Sequence, residues 1–442
     1  MRCFLWWVLA FAWPAMGAAD GEPGPLHLED GWIRDSSHRA VVLRGVVTIT
    51  MNNDGRPMAM TGADYDRIRA WGFNVQQIRL EACRLGLLPP CMSLAPGYLD
   101  KLEAWVAMGA ERGIYSIFKA TTYDIPGLGF QDQFKPGAWN RFWDTGSGWQ
   151  DQFQAGWRRV WERFKDNPAV IGYDILNECT PGSNTPGFIR HHLFPFYRRM
   201  YTALRKLDGA HLFFFQPSLR ADDELEPLGG AGVVFAPHFY PLVGRPEATY
   251  RRLLDDGRKV NAPVLIGEYG LPNTPFRAGA TIIPAGTPER DRGDALLFDQ
   301  TAMSTIKTWY TSVGNWALLT PEGEEQPRLR YFSRPYPQRT AGTPKSFSFD
   351  FDTGQWRYEW ESGPAVQAPT VIYVPLARHY PNGFRIAAGD VRLETDRAAK
   401  AGLVVTGGPR EAGAAFRYDF ASQTLTVDAA ARVNAIAIGP RP

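Results

Sequence analysis

The chain has 442 residues, 44% hydrophobic and 13% aromatic, enough to fill two cores rather than one. Lys and Arg (48) nearly cancel Asp and Glu (46), and the net charge of +2 gives no reason to expect a nucleic acid partner. The one strongly apolar run, near the N-terminus, is too short to span a bilayer comfortably, and no other segment reaches about 18 apolar residues.

Arg2, the apolar residues 4–11 and the small residues 15–19 have the order of an export leader, so residues 1–19 are expected to be cleaved and the protein to be secreted or periplasmic; a retained anchor is the alternative. Residues 26–40, turning at Asp35-Ser36-Ser37, read as a hairpin that would plug the bottom of a barrel. Short apolar runs then alternate with amphipathic stretches. Strands are expected at 41–49, 74–80, 114–120, 170–176, 212–216, 233–236, 264–268 and 313–318. Helices are expected at 61–71 (capped by Thr61), 98–112, 149–165, 188–207, 247–260 and 291–311. Eight strands with helices between them make an α/β chain folded as a (β/α)8 barrel, residues 20–344. The Pro-rich residues 321–344 read as a connector. Beyond them short alternating strands such as Phe347-Ser348-Phe349 and Trp356-Arg357-Tyr358 predict a C-terminal β-sandwich, residues 345–442.

Four cysteines occur. Cys3 falls in the leader. Cys83 and Cys91 flank Pro89-Pro90 and could close a loop disulfide in an oxidising compartment, leaving Cys179 unpaired. No Cys/His spacing suggests a metal.

Two expected strands run into a glutamate: Tyr173-Asp174-Ile175-Leu176-Asn177-Glu178 and Val264-Leu265-Ile266-Gly267-Glu268. A carboxylate at the end of a buried strand is costly unless paired or functional. The two stand ninety residues apart, about three strand–helix units of roughly 30 residues each, so both face one barrel mouth. Paired carboxylates across a mouth are the apparatus of glycoside hydrolysis. In that reading Glu178 is the general acid/base and Glu268 the nucleophile. Arg79 would keep Glu268 ionised, and Asn177 would bind the sugar 2-hydroxyl. His238 and Tyr240 would orient the carboxylates, and Trp316, taken to end strand eight, would floor the sugar site. No metal or organic cofactor is required for this chemistry.

With these motifs the chain resembles glycoside hydrolase family 5, retaining (β/α)8 enzymes with catalytic carboxylates on strands four and seven. Asn177-Glu178 and Ile266-Gly267-Glu268-Tyr269-Gly270 match that family's acid/base and nucleophile motifs. Within the family it is similar to endoglycoceramidases, through Val42-Leu43-Arg44-Gly45-Val46, residues 95–102, and Arg334-Pro335-Tyr336-Pro337 with Ala341-Gly342-Thr343-Pro344. The resemblance implies cleavage of a β-glycosidic bond between sugar and lipid. A glycolipid or oligosaccharide substrate, peripheral membrane or micelle contact, and a monomer are the expected partners and state. A glucanase or mannanase acting on polysaccharide is the alternative of the same class, and a non-catalytic carbohydrate- or lipid-binding barrel that of another. Two departures stand out. Strand three ends in Lys119-Ala120-Thr121-Thr122-Tyr123 where relatives carry an Asp-x-His-Gln-Asp type motif, so Lys119 could contact a polar or anionic group or be ion-paired. Cys179 follows the acid/base where proline is usual. The aromatic loop 130–149 either forms a lipid-contacting rim or packs over the barrel.

Overall fold

The computed structural model describes residues 23–51, 56–129, 132–183, 186–219, 225–242, 245–278, 281–363 and 365–441, without the side chains of Ala278 and Thr281. The expected leader, and Phe130 of the aromatic loop, lie outside these. Among the described residues no helix is long and apolar enough to cross a membrane.

The barrel forms as the alternation requires. Its parallel strands are Arg44–Ile49, Val75–Glu81, Tyr115–Thr121, Val170–Asp174, Leu212–Phe215, Val233–Phe235 with His238–Phe239, Leu265–Tyr269 and Ser304–Tyr310. The sixth strand is in two pieces, broken at Ala236-Pro237. Its first piece pairs with strand five and its second with strand seven, and a bridge from Phe235 to Val264 closes the ring. Local chemistry places the helices between. Thr61 caps Gly62–Ala70 in a reciprocal box with Asp64, and Thr287 caps Pro288–Gln300, with proline at the first helical position. Trp149–Phe164 buries Phe153, Trp157, Val160, Trp161 and Phe164 along one face.

Side chains alternate along a strand, so each barrel strand sends one set inward. Low in the barrel that set is apolar, with Val75, Tyr115, Ile117, Phe214, Leu265 and Ile306 in one cluster. Higher up the same register carries Gln77, Arg79, Lys119 and Asp174, all buried. The polar layer lies toward the C-terminal ends of the strands, where the active sites of such barrels are built.

Strand eight departs from expectation. The helix ends at Gln300 rather than 311, and the strand is Ser304–Tyr310 rather than 313–318. Lys307 interrupts the apolar pattern with a charge that is nonetheless fully buried, which disguises the strand as the polar face of a longer helix. Trp309, next to the strand's last residue Tyr310, therefore stands at its end, and Trp316 lies in the loop beyond it.

The C-terminal unit is a pair of antiparallel sheets around Phe347, Phe349, Trp356, Tyr358, Tyr373, Phe384, Ile386 and Leu425. It begins before residue 345, with strands Tyr336–Thr340 and Gly342–Phe349. The prolines that suggested a linker, Pro337 and Pro344, sit at register shifts in their ladders, where a missing N–H is tolerated. The N-terminal hairpin, Leu26–Glu29 with Trp32–Asp35, is one edge of the seven-stranded sheet. It is joined through Ala40–Val41 to Tyr336–Thr340, so Val41 leaves the expected first barrel strand, which begins at Arg44. The same hairpin closes the barrel bottom: Leu26, Ile33 and Val41 belong to the barrel-interior cluster. A buried triad locks this junction. Asp299, ending the barrel's last helix, pairs with Arg44 at the start of strand one and with Arg334, whose Nε donates to Asp299 Oδ2 at 2.9 Å.

Cys83 and Cys91 form a disulfide with their Cα atoms 4.9 Å apart. The loop after strand three packs over the barrel rather than forming a rim: Trp139, Phe142 and Trp143 are buried against one another and against Phe153, Phe188 and Phe196.

Candidate active site

The backbone turns sharply where the fourth strand ends. Glu178 has φ +45°, a left-handed conformation that costs a residue with a Cβ about 1–2 kcal/mol. Gln216, just past strand five, holds it there. Its Oε1 accepts the Glu178 N–H at 3.1 Å, and its Nε2 donates to both oxygens of Asp174 at 3.0 and 2.9 Å. Asp174 is fully buried under the mouth, and burial pushes its carboxyl up to about 6 against the pull of Lys119 and His238.

Glu268 comes from the seventh strand and pairs in register with His238 on the sixth. The imidazole lies between the two carboxylates, with Nδ1 2.7 Å from Glu178 Oε1 and 3.7 Å from Glu268 Oε2. One oxygen of each glutamate and a ring nitrogen of His238 all fall within 4.8 Å of one another. The Tyr240 hydroxyl donates to Glu268 Oε2 at 3.0 Å. Lys119 is wholly buried and its ammonium donates to Glu268 Oε1.

The two carboxyls therefore sit in different fields. Burial would raise Glu268, but Lys119 above all, then His238 and the Tyr240 hydrogen bond, outweigh it and hold the carboxyl down at about 2. Glu178 has no lysine or arginine among its described ion-pair partners. It is held by His238 and by the Tyr123 hydroxyl, which donates to Oε2 at 2.9 Å while accepting from Asn177 Nδ2 at 2.8 Å.

The structure brings Glu178, Glu268, His238, Tyr240, Lys119 and Asn177 together. It places two other expected residues differently. Arg79 does not hold Glu268: two residues from Glu81 on the same strand face, it pairs with that carboxylate at 3.2 Å and donates to the Met51 carbonyl. Its guanidinium lies 5.8 Å from the Tyr123 ring and 5.4 Å from that of Trp309. Trp316 is not at a strand end; it donates to the Gly270 carbonyl at 3.0 Å and braces Trp309, ring centroids 5.8 Å apart. Trp309 occupies the strand-end position assigned to Trp316, and its indole N–H is buried without a partner among the described residues. Thr121 turns away, bonded to the Leu80 carbonyl. Cys179 is packed in the core, where burial pushes its thiol far above the usual range and leaves no nucleophile.

Sequence reasoning passes over Tyr123, Gln216, Asp174 and Trp309. Asp174 carries a signal, a charge inside an apolar run. Gln216 and Tyr123 lie just past strand ends with no pattern to mark them.

The profile described as "Cellulase (glycosyl hydrolase family 5)" matches residues 35–316, and that described as "Glycoside hydrolase family 5 C-terminal domain" matches residues 334–429. The chain belongs to glycoside hydrolase family 5. This family 5 hydrolase is 25% identical over 479 residues to endoglycoceramidase I of Rhodococcus hoagii, covering 87% of this chain and 90% of that one. It is 26% identical over 271 residues to an endoglycoceramidase of Hydra vulgaris, covering 56% and 50%. Its fold matches that of endoglycoceramidase II from Rhodococcus sp., solved with ganglioside GM3, at TM-score 0.72 and 21% identity over 93% of this chain and 99% of the other.

Proposed function

We propose that this family 5 hydrolase is an exported retaining β-glycosidase that releases sugar from a glycolipid of the glycosylceramide kind. The observation that carries the reading is the glutamate pair itself: two carboxylates with oxygens within 4.8 Å, one imidazole between them, and a buried lysine on Glu268. Retention needs carboxyls about 5–5.5 Å apart, whereas inversion needs about 6.5–9.5 Å to admit a water.

The roles follow from the fields. Glu268, kept anionic by Lys119 and aligned by Tyr240, attacks the anomeric carbon. Glu178, bonded to Tyr123 and His238, gives its proton to the glycosidic oxygen as the bond to the aglycone breaks. The covalent glycosyl-enzyme is then opened by water, which Glu178 deprotonates, and the sugar leaves with its original anomeric configuration. Asn177 Oδ1 is buried with no partner among the described residues, an acceptor free for a sugar hydroxyl beside Glu178. Trp309 offers its ring and its free N–H to the same sugar.

Ceramide-type aglycones are suggested by the endoglycoceramidase relatives. They are also suggested by where apolar residues are exposed: Leu219, Ile282 and Val313 follow strands five, seven and eight, on the mouth side of the barrel. These loops, rather than residues 130–149, are the proposed contact with a membrane or micelle. The expected leader and the Cys83–Cys91 disulfide fit an oxidising compartment.

The test is hydrolysis of fluorescent glucosyl- and galactosylceramide beside soluble glucans, with Glu178→Gln and Glu268→Gln as controls. Cleavage of a glycolipid that both variants lose supports the reading. Cleavage of glucans alone removes the lipid substrate, and a wild type equal to the variants on every substrate removes catalysis.

A further inference from the structure

Far from the mouth, at the free edge of the seven-stranded sheet, three metal-ligating side chains converge. His27 and Glu29 are two residues apart on strand Leu26–Glu29 and so share a face. His38 reaches the same point from the turn beyond the partner strand. Its Nδ1 lies 2.7 Å from Glu29 Oε2, and His27 Nε2 lies 3.2 Å from that same oxygen. All three ligand atoms fall within 4.8 Å of one another, and the imidazole rings meet edge to face at 5.8 Å.

We infer that His27, Glu29 and His38 form a surface site for a divalent transition metal, with zinc as the fitting ion. Ligands about 2.0–2.2 Å from a tetrahedral zinc stand about 3.3 Å from one another. The observed spacings reach that with small side-chain rotations. Two imidazoles and one carboxylate suit zinc, copper or nickel rather than calcium or magnesium, which take all-oxygen sets. The three side chains are 44%, 38% and 64% exposed, so water can complete the shell.

The scaffold under the site is rigid. His38 has φ +61°, disfavoured for a residue with a Cβ, yet Arg34 holds it by donating to its carbonyl at 2.7 Å. Arg34 also donates to the Gly342 carbonyl at 2.9 Å, and the Asp35 carboxylate accepts from the amides of Ser37 and Arg39. Metal held here would tie the outermost strand to the turn that leads into Ala40–Val41. It would clamp the hairpin that both edges the sheet and closes the barrel bottom. A metal bound only by the folded chain stabilises it. The histidine and glutamate spacing follows none of the familiar finger or helix patterns, so the sequence does not advertise it.

The experiment is calorimetric titration of the chelator-stripped chain with zinc chloride, with melting temperature and glycolipid hydrolysis measured alongside. We expect one equivalent bound and a higher melting temperature. Affinity should fall by more than about tenfold in His38→Ala and in Glu29→Gln, since losing even an outer-shell partner costs about 10–100-fold. Both variants should melt like the wild type without zinc and hydrolyse substrate at its rate. No binding by the wild type overturns the inference. So does zinc bound equally well by a His27→Ala, His38→Ala double variant; inhibition of hydrolysis would then locate the ion at Glu178, His238 and Glu268.

Discussion

The two ends of the barrel are made by the same eight strands and are put to opposite uses. At the N-terminal end the inward residues are apolar, the opening is stoppered by Leu26, Ile33 and Val41, and the buried charges are paired, Arg44 and Arg334 on Asp299 and Arg39 on Asp35. At the C-terminal mouth the charge is denser and less settled. Asn177 Oδ1, His238 Nε2, Arg79 Nη1 and Trp309 Nε1 are buried without partners among the described residues, and Glu178 sits in a left-handed backbone. Unpartnered polar atoms occur at the bottom too, on Arg34 and Arg44, but at the mouth they surround the two glutamates, where a ligand could complete them. The bottom is built to hold and the mouth to react.

Substitutions should separate the two. The largest expected effect is at the mouth. Glu178→Gln should lower kcat by about 10²–10⁴-fold, the usual worth of a general acid. Glu268→Gln, which takes away the proposed nucleophile, should lower it further, with the melting temperature of each close to wild type. Next comes the bottom. Asp299→Ala leaves Arg44 and Arg334 buried and unpaired and should destabilise the fold by about 3–5 kcal/mol. That loss is read in the denaturant midpoint, while the pH profile of the folded enzyme stays unchanged. A loss of catalysis from Asp299→Ala at temperatures where it is folded would erase the distinction.

The third effect is in pH. The Glu268 carboxyl is depressed from about 4.5 to about 2. Its pairing with Lys119 therefore contributes stability above about pH 4.5 that is lost as pH falls toward 2. Lys119→Met should move the acid limb of kcat/KM upward by about 1–3 pH units, the usual reach of an adjacent opposite charge. An unmoved limb would mean that Lys119 does not set the charge of Glu268. The smallest effect separates the two tryptophans. Trp309→Ala should raise KM by about three- to tenfold, the worth of one aromatic contact. Trp316→Ala, which only removes the brace, should do less; the reverse order would restore Trp316 as the floor of the site.

The same contrast explains how much of the molecule is legible in the sequence alone. The barrel, the glutamate pair and His238 are legible because apolar runs of fixed spacing end on them, and spacing is what the fold imposes. Strand eight is displaced in the sequence pattern because a buried Lys307 counterfeits a solvent-facing residue, which moves the strand-end tryptophan from 309 to 316. Arg79 points to the wrong carboxylate although period two puts Glu81 on its own face. Tyr123 and Gln216 leave no trace, since their partners, Glu178, Asn177 and Asp174, come from another strand. The sheet pairing of the N-terminal hairpin with Tyr336–Thr340 is a long-range contact that local pattern does not encode.

The central proposal is that Glu178 and Glu268 act as a retaining pair. Proton NMR of the sugar as it is first released from a β-linked glycosylceramide tests it most directly. The β-anomer is the expected first product, appearing before mutarotation brings the mixture to equilibrium; the α-anomer as first product would contradict the claim.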